Sequence, residues 1–274
     1  MPLDSMGRRS RFKRTPTGKR MVPTARDVEI LRWLYRYRYL SATQLIDILQ
    51  PRSEKRFIER LGDLFHETGL IDRPPAQWRG FDARFRSIFY ELSPKGIRYL
   101  ADRAALPARA TTLSRRAHNG RAVQFDHATM IVDALLSVEL ETRDHPDQRF
   151  VPVDEILARA PENTRQARNP LAVPVTIEPR KDRPDIRQPW HPHIIPDALY
   201  GIEYLIDGER RYRFWALECE NTTPLYRAAS HRSSIARKEA AYEALISSRN
   251  YRTHWGIPNL RLRHVTANSL GNAG

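Results

Sequence analysis

Of 274 residues only one, Cys219, is a cysteine. That count excludes an intrachain disulfide framework and any zinc site built from several thiolates. Nowhere does the chain approach the roughly 18 consecutive apolar residues of a membrane-spanning helix. The first twenty residues set Arg8, Arg9, Arg11, Lys13, Arg14, Lys19 and Arg20 against Asp4 alone, and no apolar stretch follows. A secretory signal is therefore not read there, and the expected location is the cytoplasm. Internal repeats are also missing. Positive charge is plentiful: 46 Lys and Arg face 32 Asp and Glu, a net +14. Such an excess suits phosphate backbones, anionic membrane surfaces or acidic proteins as partners, nucleic acid being the commonest. A hydrophobic fraction of 41% is enough for a packed core and excludes wholesale disorder.

Residues 1–20 read as a disordered basic arm, either solvated or in contact with phosphate. From Thr24 onward helical signals repeat. Thr24 caps a segment with Val28, Ile30, Leu31, Leu34 and Tyr35 at helical spacing. Ser41 caps a helix that Pro51 stops. Ser53 caps a third, striped by Phe57, Ile58, Leu61, Leu64 and Phe65 and ended by Gly69. The alternating "IFYELS" is a strand, and "SPKGIRYLADR" is a helix capped by Ser93 with Pro94 at its first position. Three short helices, a two-stranded hairpin and a further helix resemble a winged helix-turn-helix over residues 21–103. That resemblance sends the helix at 53–68 into a major groove. Lys55, Arg56 and Arg60 then face DNA, and Arg79, Arg84 and Arg86 on the wing touch phosphate or minor groove. Glu54, Glu59 and Asp63 dilute the helix's charge, so a protein-binding winged helix stays open as the alternative.

Residues 104–120 lack apolar periodicity and read as a linker. The expected second domain, 121–274, opens with a helix bearing one apolar face. Strands follow near 149–153, 193–205 and 211–220, with a Pro- and Arg-rich insertion at 160–190 that has no assignment. A helix near 227–247 and the strand "LRLRHVTA" complete an order that suits a mixed sheet flanked by helices. The fold class is thus α/β (α+β).

Within "PDALYGIEYLIDGERRYRFWALECEN", strand alternation puts Glu218 and Glu220 on one face with Phe214 and Ala216, about 7 Å apart along the strand. Trp215, Leu217 and Cys219 take the other face. Asp-Gly at 207–208 signals a hairpin, and pairing about a turn at 207–209 sets position 219 roughly opposite Asp197. Three carboxylates so placed repel one another unless a hard cation sits among them, which makes Mg²⁺ or Mn²⁺ the expected cofactor and Asp197, Glu218 and Glu220 its ligands. The alternative is an exposed hairpin whose charges face water. His191-Pro-His193 resembles the His-hydrophobe-His motif of rolling-circle relaxases, and that resemblance implies metal held by imidazoles with Tyr226, Tyr242 or Tyr251 as nucleophile.

Pro-Asp, about twenty residues and then Glu-x-Glu at the end of an apolar strand resemble the PD-(D/E)xK nuclease superfamily. Together with the preceding winged helix, "PDALYGIEYL…RYRFWALECENTT…ARKEAAY" is similar to the replication-relaxation family. The resemblance implies a restriction-endonuclease-like domain that nicks or cuts DNA in plasmid replication or mobilisation, as the related mobilisation relaxases do. It implies Asp197 and Glu218 as metal ligands and puts Glu220 in a slot usually held by lysine. Lys238, on the following helix, is the candidate to replace that lysine, the alternative being a solvated side chain. Glu139 is either a further ligand or a solvent-facing glutamate. Expected partners are double-stranded DNA at a specific site and either a second copy of the chain or relaxosome-type proteins, with no membrane involved. A non-catalytic DNA-binding regulator on a degenerate nuclease fold is the competing reading.

Overall fold

The computed structural model describes residues 9–79, 87–103, 106, 122–179, 181, 186, 188–220 and 235–266. The fold is α+β, with helices, two small antiparallel sheets and one mixed sheet. Its described residues form two compact units, one reaching to 106 and including 122–132, the other running from Asp133 onward.

In the first unit, α1 (Ala25–Tyr37), α2 (Ala42–Leu49), α3 (Glu54–Asp63) and α4 (Pro94–Ala101) begin where their caps predict. Thr24 and Asp27 form a reciprocal capping box, as do Ser41 and Gln44, so orphan amides at both helix starts are satisfied. A π-helical turn, Leu64–Thr68, prolongs α3 to Gly69, whose φ of 65° ends it. The "RYLS" break is a two-residue strand, β1 (Leu40–Ser41). It joins β3 (Phe89–Leu92), which pairs on its other side with β2 (Ile71–Asp72), giving the antiparallel order β1-β3-β2.

Ser93 ties α4 to this sheet. Its hydroxyl accepts the Gly96 N–H at 2.9 Å and donates to the Gly69 carbonyl at 2.6 Å. Gly96 is required by the same approach, because a Cβ there would lie 2.1 Å from the Leu70 carbonyl oxygen. Ser93→Ala should therefore cost about 1–2 kcal/mol of unit stability, read as a lower urea midpoint.

Residues 9–20 depart from the expected disordered arm. Arg9 spans Asp63 and Glu67 at 2.9 Å each, and Lys19 reaches Asp63 at 2.6 Å. The acids that anchor the arm lie 44 to 58 positions downstream, beyond the reach of any local pattern.

Helix α5 (Ala122–Arg143) is divided between the units at Val132. Met130, Ile131 and Val132 are consecutive and all buried, so the helix there is covered on more than one side and does not keep the single apolar face expected of it. The second unit continues with β4 (Gln148–Val151), α6 (Val153–Ala158), α7 (Glu162–Gln166), β5 (Val173–Pro174), β6 (His193–Ile194), β7 (Ala198–Ile206), β8 (Glu209–Glu220), α8 (Ile235–Ser248), α9 (Asn250–Trp255) and β9 (Arg261–Thr266). Its mixed sheet has the order β4-β7-β8-β9, with β8 and β9 parallel and the other pairs antiparallel. The unassigned insertion contributes to the core: Leu171, Val173, Val175, Ile177 and Ile186 pack with Leu199, Phe214 and Ala216 of the sheet and with Ala240, Ala241 and Leu245 of α8. The strand expected from 193 is interrupted. Residues 193–194 pair with β5, and β7 starts only after Pro196 and Asp197. Among the described residues no helix is long and apolar enough to cross a membrane.

Candidate functional site

The β7–β8 hairpin turns at Asp207 and Gly208, both with positive φ (52° and 80°), which a two-residue type I′ turn demands. Ile206 therefore pairs with Glu209 and Ala198 with Leu217. Continuing that register sets Asp197 in line with Glu218, one residue from the expected partner at 219. Strand β8 runs on past the start of β7, which brings the Cys219 amide level with the Asp197 side chain. The Asp197 carboxylate accepts the Cys219 N–H at 2.8 Å. A backbone hydrogen bond thus fixes this side chain at the sheet end.

Glu218 projects from the face of β8 that packs on α8. Lys238 and Tyr242, four residues apart on that helix, lie on one side of it. Lys238 Nζ donates to Glu218 Oε2 at 2.7 Å and to Glu220 Oε1 at 3.2 Å, and the Tyr242 hydroxyl donates to Glu218 Oε1. Glu218 is only 2% exposed, while the Lys238 side chain keeps 43% of its surface open. The site is therefore a buried carboxylate held from inside the fold, with its ammonium partner at the rim.

Burial, and then the charge of Asp197, push the Glu218 carboxyl up from its ordinary range, while Lys238 and Tyr242 pull it partly back. Burial works against the Lys238 ammonium, yet attraction to Glu218, Glu220 and Asp197 outweighs it and raises its pKa. Burial and then Glu218 raise that of Tyr242. The Cys219 thiol is pushed up to about 12 by burial and the charges of Asp197 and Glu218, so it is no thiolate nucleophile at neutral pH.

A family match covers residues 31–260 and carries the description replication-relaxation. The chain belongs to the replication-relaxation family. No curated protein and no solved structure matches it. Membership of this family points to a role in replication or mobilisation.

In this replication-relaxation protein Asp197, Glu218, Glu220 and Lys238 come together at one sheet end. The three carboxylates do not close into a cage. Among the described residues no three His, Cys, Asp or Glu side chains are arranged to hold a metal ion, and the Lys238 ammonium bridges the two glutamates. Asp197 and Glu218 remain as a pair of oxygen donors, a set that suits Mg²⁺, which keeps several waters and needs only one or two carboxylates. Glu139 is buried, not solvent-facing, at 7% exposure. His191 and His193 are exposed on and beside β6, with His191 Nδ1 at 3.0 Å from the Thr176 hydroxyl, whereas Tyr251 is buried in the core and Tyr226 lies outside the described residues.

On the first unit, Lys55 and Arg56 are exposed on α3. Arg60 is not turned outward as expected. Its Nε donates to Asp27 at 3.0 Å and its Nη2 to both Asp27 and the Val22 carbonyl. Asp27 is 1% exposed, and Arg60 is its countercharge within the fold. Arg79 ends a 3₁₀ turn (Pro75–Arg79), and Arg84 and Arg86 lie outside the described residues. Sequence spacing missed the Tyr242–Glu218 bond, although the four-residue interval from Lys238 to Tyr242 carries its signal.

Proposed function

We propose that this protein binds DNA through a winged-helix-like first unit and cleaves or nicks a phosphodiester in a restriction-endonuclease-like second unit, with Mg²⁺ or Mn²⁺ as cofactor. One observation carries this reading: Asp197 and Glu218 stand at the ends of adjacent strands, with Lys238 hydrogen-bonded to Glu218 from the neighbouring helix. Asp197 and Glu218 would hold the cation. When bound, it offsets charge on the attacked phosphate and acidifies the attacking water. Lys238 would orient that water and counter the phosphate's negative charge, the task that Glu220, being anionic, leaves open. Glu220, partly exposed beside Lys238, would accept the water's proton as the new P–O bond forms and the old one breaks. Lys55 and Arg56, with the wing arginines, would provide phosphate and base contacts on double-stranded DNA.

A non-catalytic replication or mobilisation protein is the second reading, favoured because among the described residues no three His, Cys, Asp or Glu side chains are arranged to hold a metal ion. Supercoiled plasmid carrying the protein's own origin region distinguishes the two. Conversion to open-circular or linear DNA that needs Mg²⁺ or Mn²⁺ and stops in EDTA is the expected result. Intact plasmid at every metal concentration, under conditions where the protein binds it, rejects the nuclease.

A further inference from the structure

Residues 53–73, which include α3, hold five Asp or Glu and four Lys or Arg, a net −1, whereas residues 9–20 hold six Lys or Arg and no acid. A helix that enters a DNA groove on its own with that balance would meet repulsion from the phosphates. The acids fall into two groups. Glu54 and Glu59 stay exposed on α3 beside Lys55 and Arg56, where Ile58 keeps 46% exposure. The far half and the turn after it carry Asp63 and Glu67, and Asp72 follows in β2.

The arm covers that acidic half residue by residue. Arg9 bridges Asp63 and Glu67, and Lys19 takes the second oxygen of Asp63. The Thr17 amide and hydroxyl both donate to Glu67, whose side chain is left 2% exposed. Arg14 pairs with Asp72 and donates to the Ile71 carbonyl at 3.0 Å. Arg9 also lies against Gly62, within 3.4 Å of where a Cβ would stand. Apolar and backbone contacts seat the strap: Phe12 meets Trp78 at 5.1 Å, Arg73 donates to the Arg11 carbonyl at 2.6 Å, and the Thr15 amide donates to His66 Nδ1 at 3.1 Å. Asp63 and Glu67 are held below the ordinary carboxylate range by these bonds in spite of their burial.

We propose that residues 9–20 act as a built-in electrostatic shield: they neutralise Asp63, Glu67 and Asp72 so that α3 can approach a nucleic-acid phosphate backbone. The shield rests on the DNA-binding reading of the first unit. It assigns the arm's Arg9, Arg14 and Lys19 to the protein's own acids, while the exposed Lys13 and Arg20 add to the basic surface.

Fluorescence anisotropy with a labelled duplex at constant salt tests it. Arg9→Gln/Lys19→Gln should weaken binding about tenfold, through restored repulsion and a loosened arm. Asp63→Asn/Glu67→Gln breaks the same ion pairs yet should bind as tightly as the unaltered protein or more so. The quadruple variant should regain that tight binding, whereas Arg9→Gln/Lys19→Gln combined with Glu29→Gln/Asp102→Asn, equal in charge but making no ion pair with the arm, should not. A quadruple variant as weak as Arg9→Gln/Lys19→Gln means direct phosphate contact and overturns the shield. Tighter binding by Arg9→Gln/Lys19→Gln means a blocking arm and overturns it too, as does equal rescue by the control pair. If Arg9→Gln/Lys19→Gln fails to fold by circular dichroism, the Asp63→Asn/Glu67→Gln result decides alone, and weakened binding there rejects the idea. A protein that binds no duplex at all removes the DNA-binding reading and the shield with it. Binding that none of these variants alters removes only the shield.

Discussion

Glu218→Gln is expected to slow metal-dependent plasmid cleavage by roughly 100- to 1,000-fold while leaving duplex affinity unchanged. The substitution is nearly isosteric, and the amide oxygen can still accept the Tyr242 hydroxyl. What it removes is the anionic oxygen that faces Lys238 at 2.7 Å, and an amide N–H₂ turned toward that ammonium sets donor against donor. The proposed cation ligand and the anchor of Lys238 are lost together. Asp197→Asn makes a useful partner, because its amide oxygen can keep the Cys219 N–H bond while losing charge. Initial rates of supercoiled-plasmid loss across a Mn²⁺ series read the outcome. A Glu218→Gln protein that cleaves at the unaltered rate would place the chemistry elsewhere. A rate recovered at high Mn²⁺ would assign Glu218 chiefly to cation affinity.

Much of this site is legible in the sequence because its determinants are local. Glu218 and Glu220 follow from two-residue alternation, and the hairpin from Asp207-Gly208, whose positive φ angles few other pairs tolerate. The register differs from the expected one by a single residue because the turn holds two residues and not three, so that Ile206 pairs with Glu209. Helix starts were equally readable, since Thr24, Ser41, Ser53 and Ser93 each bond an amide three residues on. Long-range pairing is what the pattern hid. Arg56 and Arg60 stand four residues apart on one helix, yet only Arg60 meets Asp27, 33 positions earlier, and is drawn inward. The arm is the larger instance: its run of cations looks solvated until the fold brings Asp63, Glu67 and Asp72 beside it. Even the split of the expected 193–205 strand has this origin, because residues 193–194 find their partner in β5 before Pro196 interrupts the backbone donors.

His66 gives the arm a pH dependence whose sign can be worked out. It is 3% exposed and accepts the Thr15 amide through Nδ1, which requires that nitrogen to be unprotonated. Burial first, then the positive charges of Arg73, Arg9 and Arg14, lower its pKa from 6.5 to about 4, with Glu67 pulling the other way. Above pH 6.5 both folded and unfolded histidine are neutral, and the contribution to stability is whole. As pH falls below 6.5 the unfolded chain takes up a proton that the folded chain refuses, and stability drops until the folded group also protonates near pH 4. The loss reaches about 3 kcal/mol at the acid end and about 2 kcal/mol by pH 5. The carboxylates Asp27, Asp63 and Glu67, whose pKa values are lowered, lose their contribution only at more acid pH, so among these groups of the first unit the window from 7.5 to 5 isolates the histidine. Amide protection of peptides covering 54–68, corrected for intrinsic exchange, should fall across that window in the unaltered protein. His66→Asn, whose Oδ1 can take the Thr15 N–H without titrating, should flatten the fall even if it lowers protection at pH 7.5. Equal slopes in the two proteins would mean that His66 is already free to protonate in the fold. A steeper slope in the unaltered protein would mean that acid loosens the strap where Arg9 and Arg14 already crowd His66.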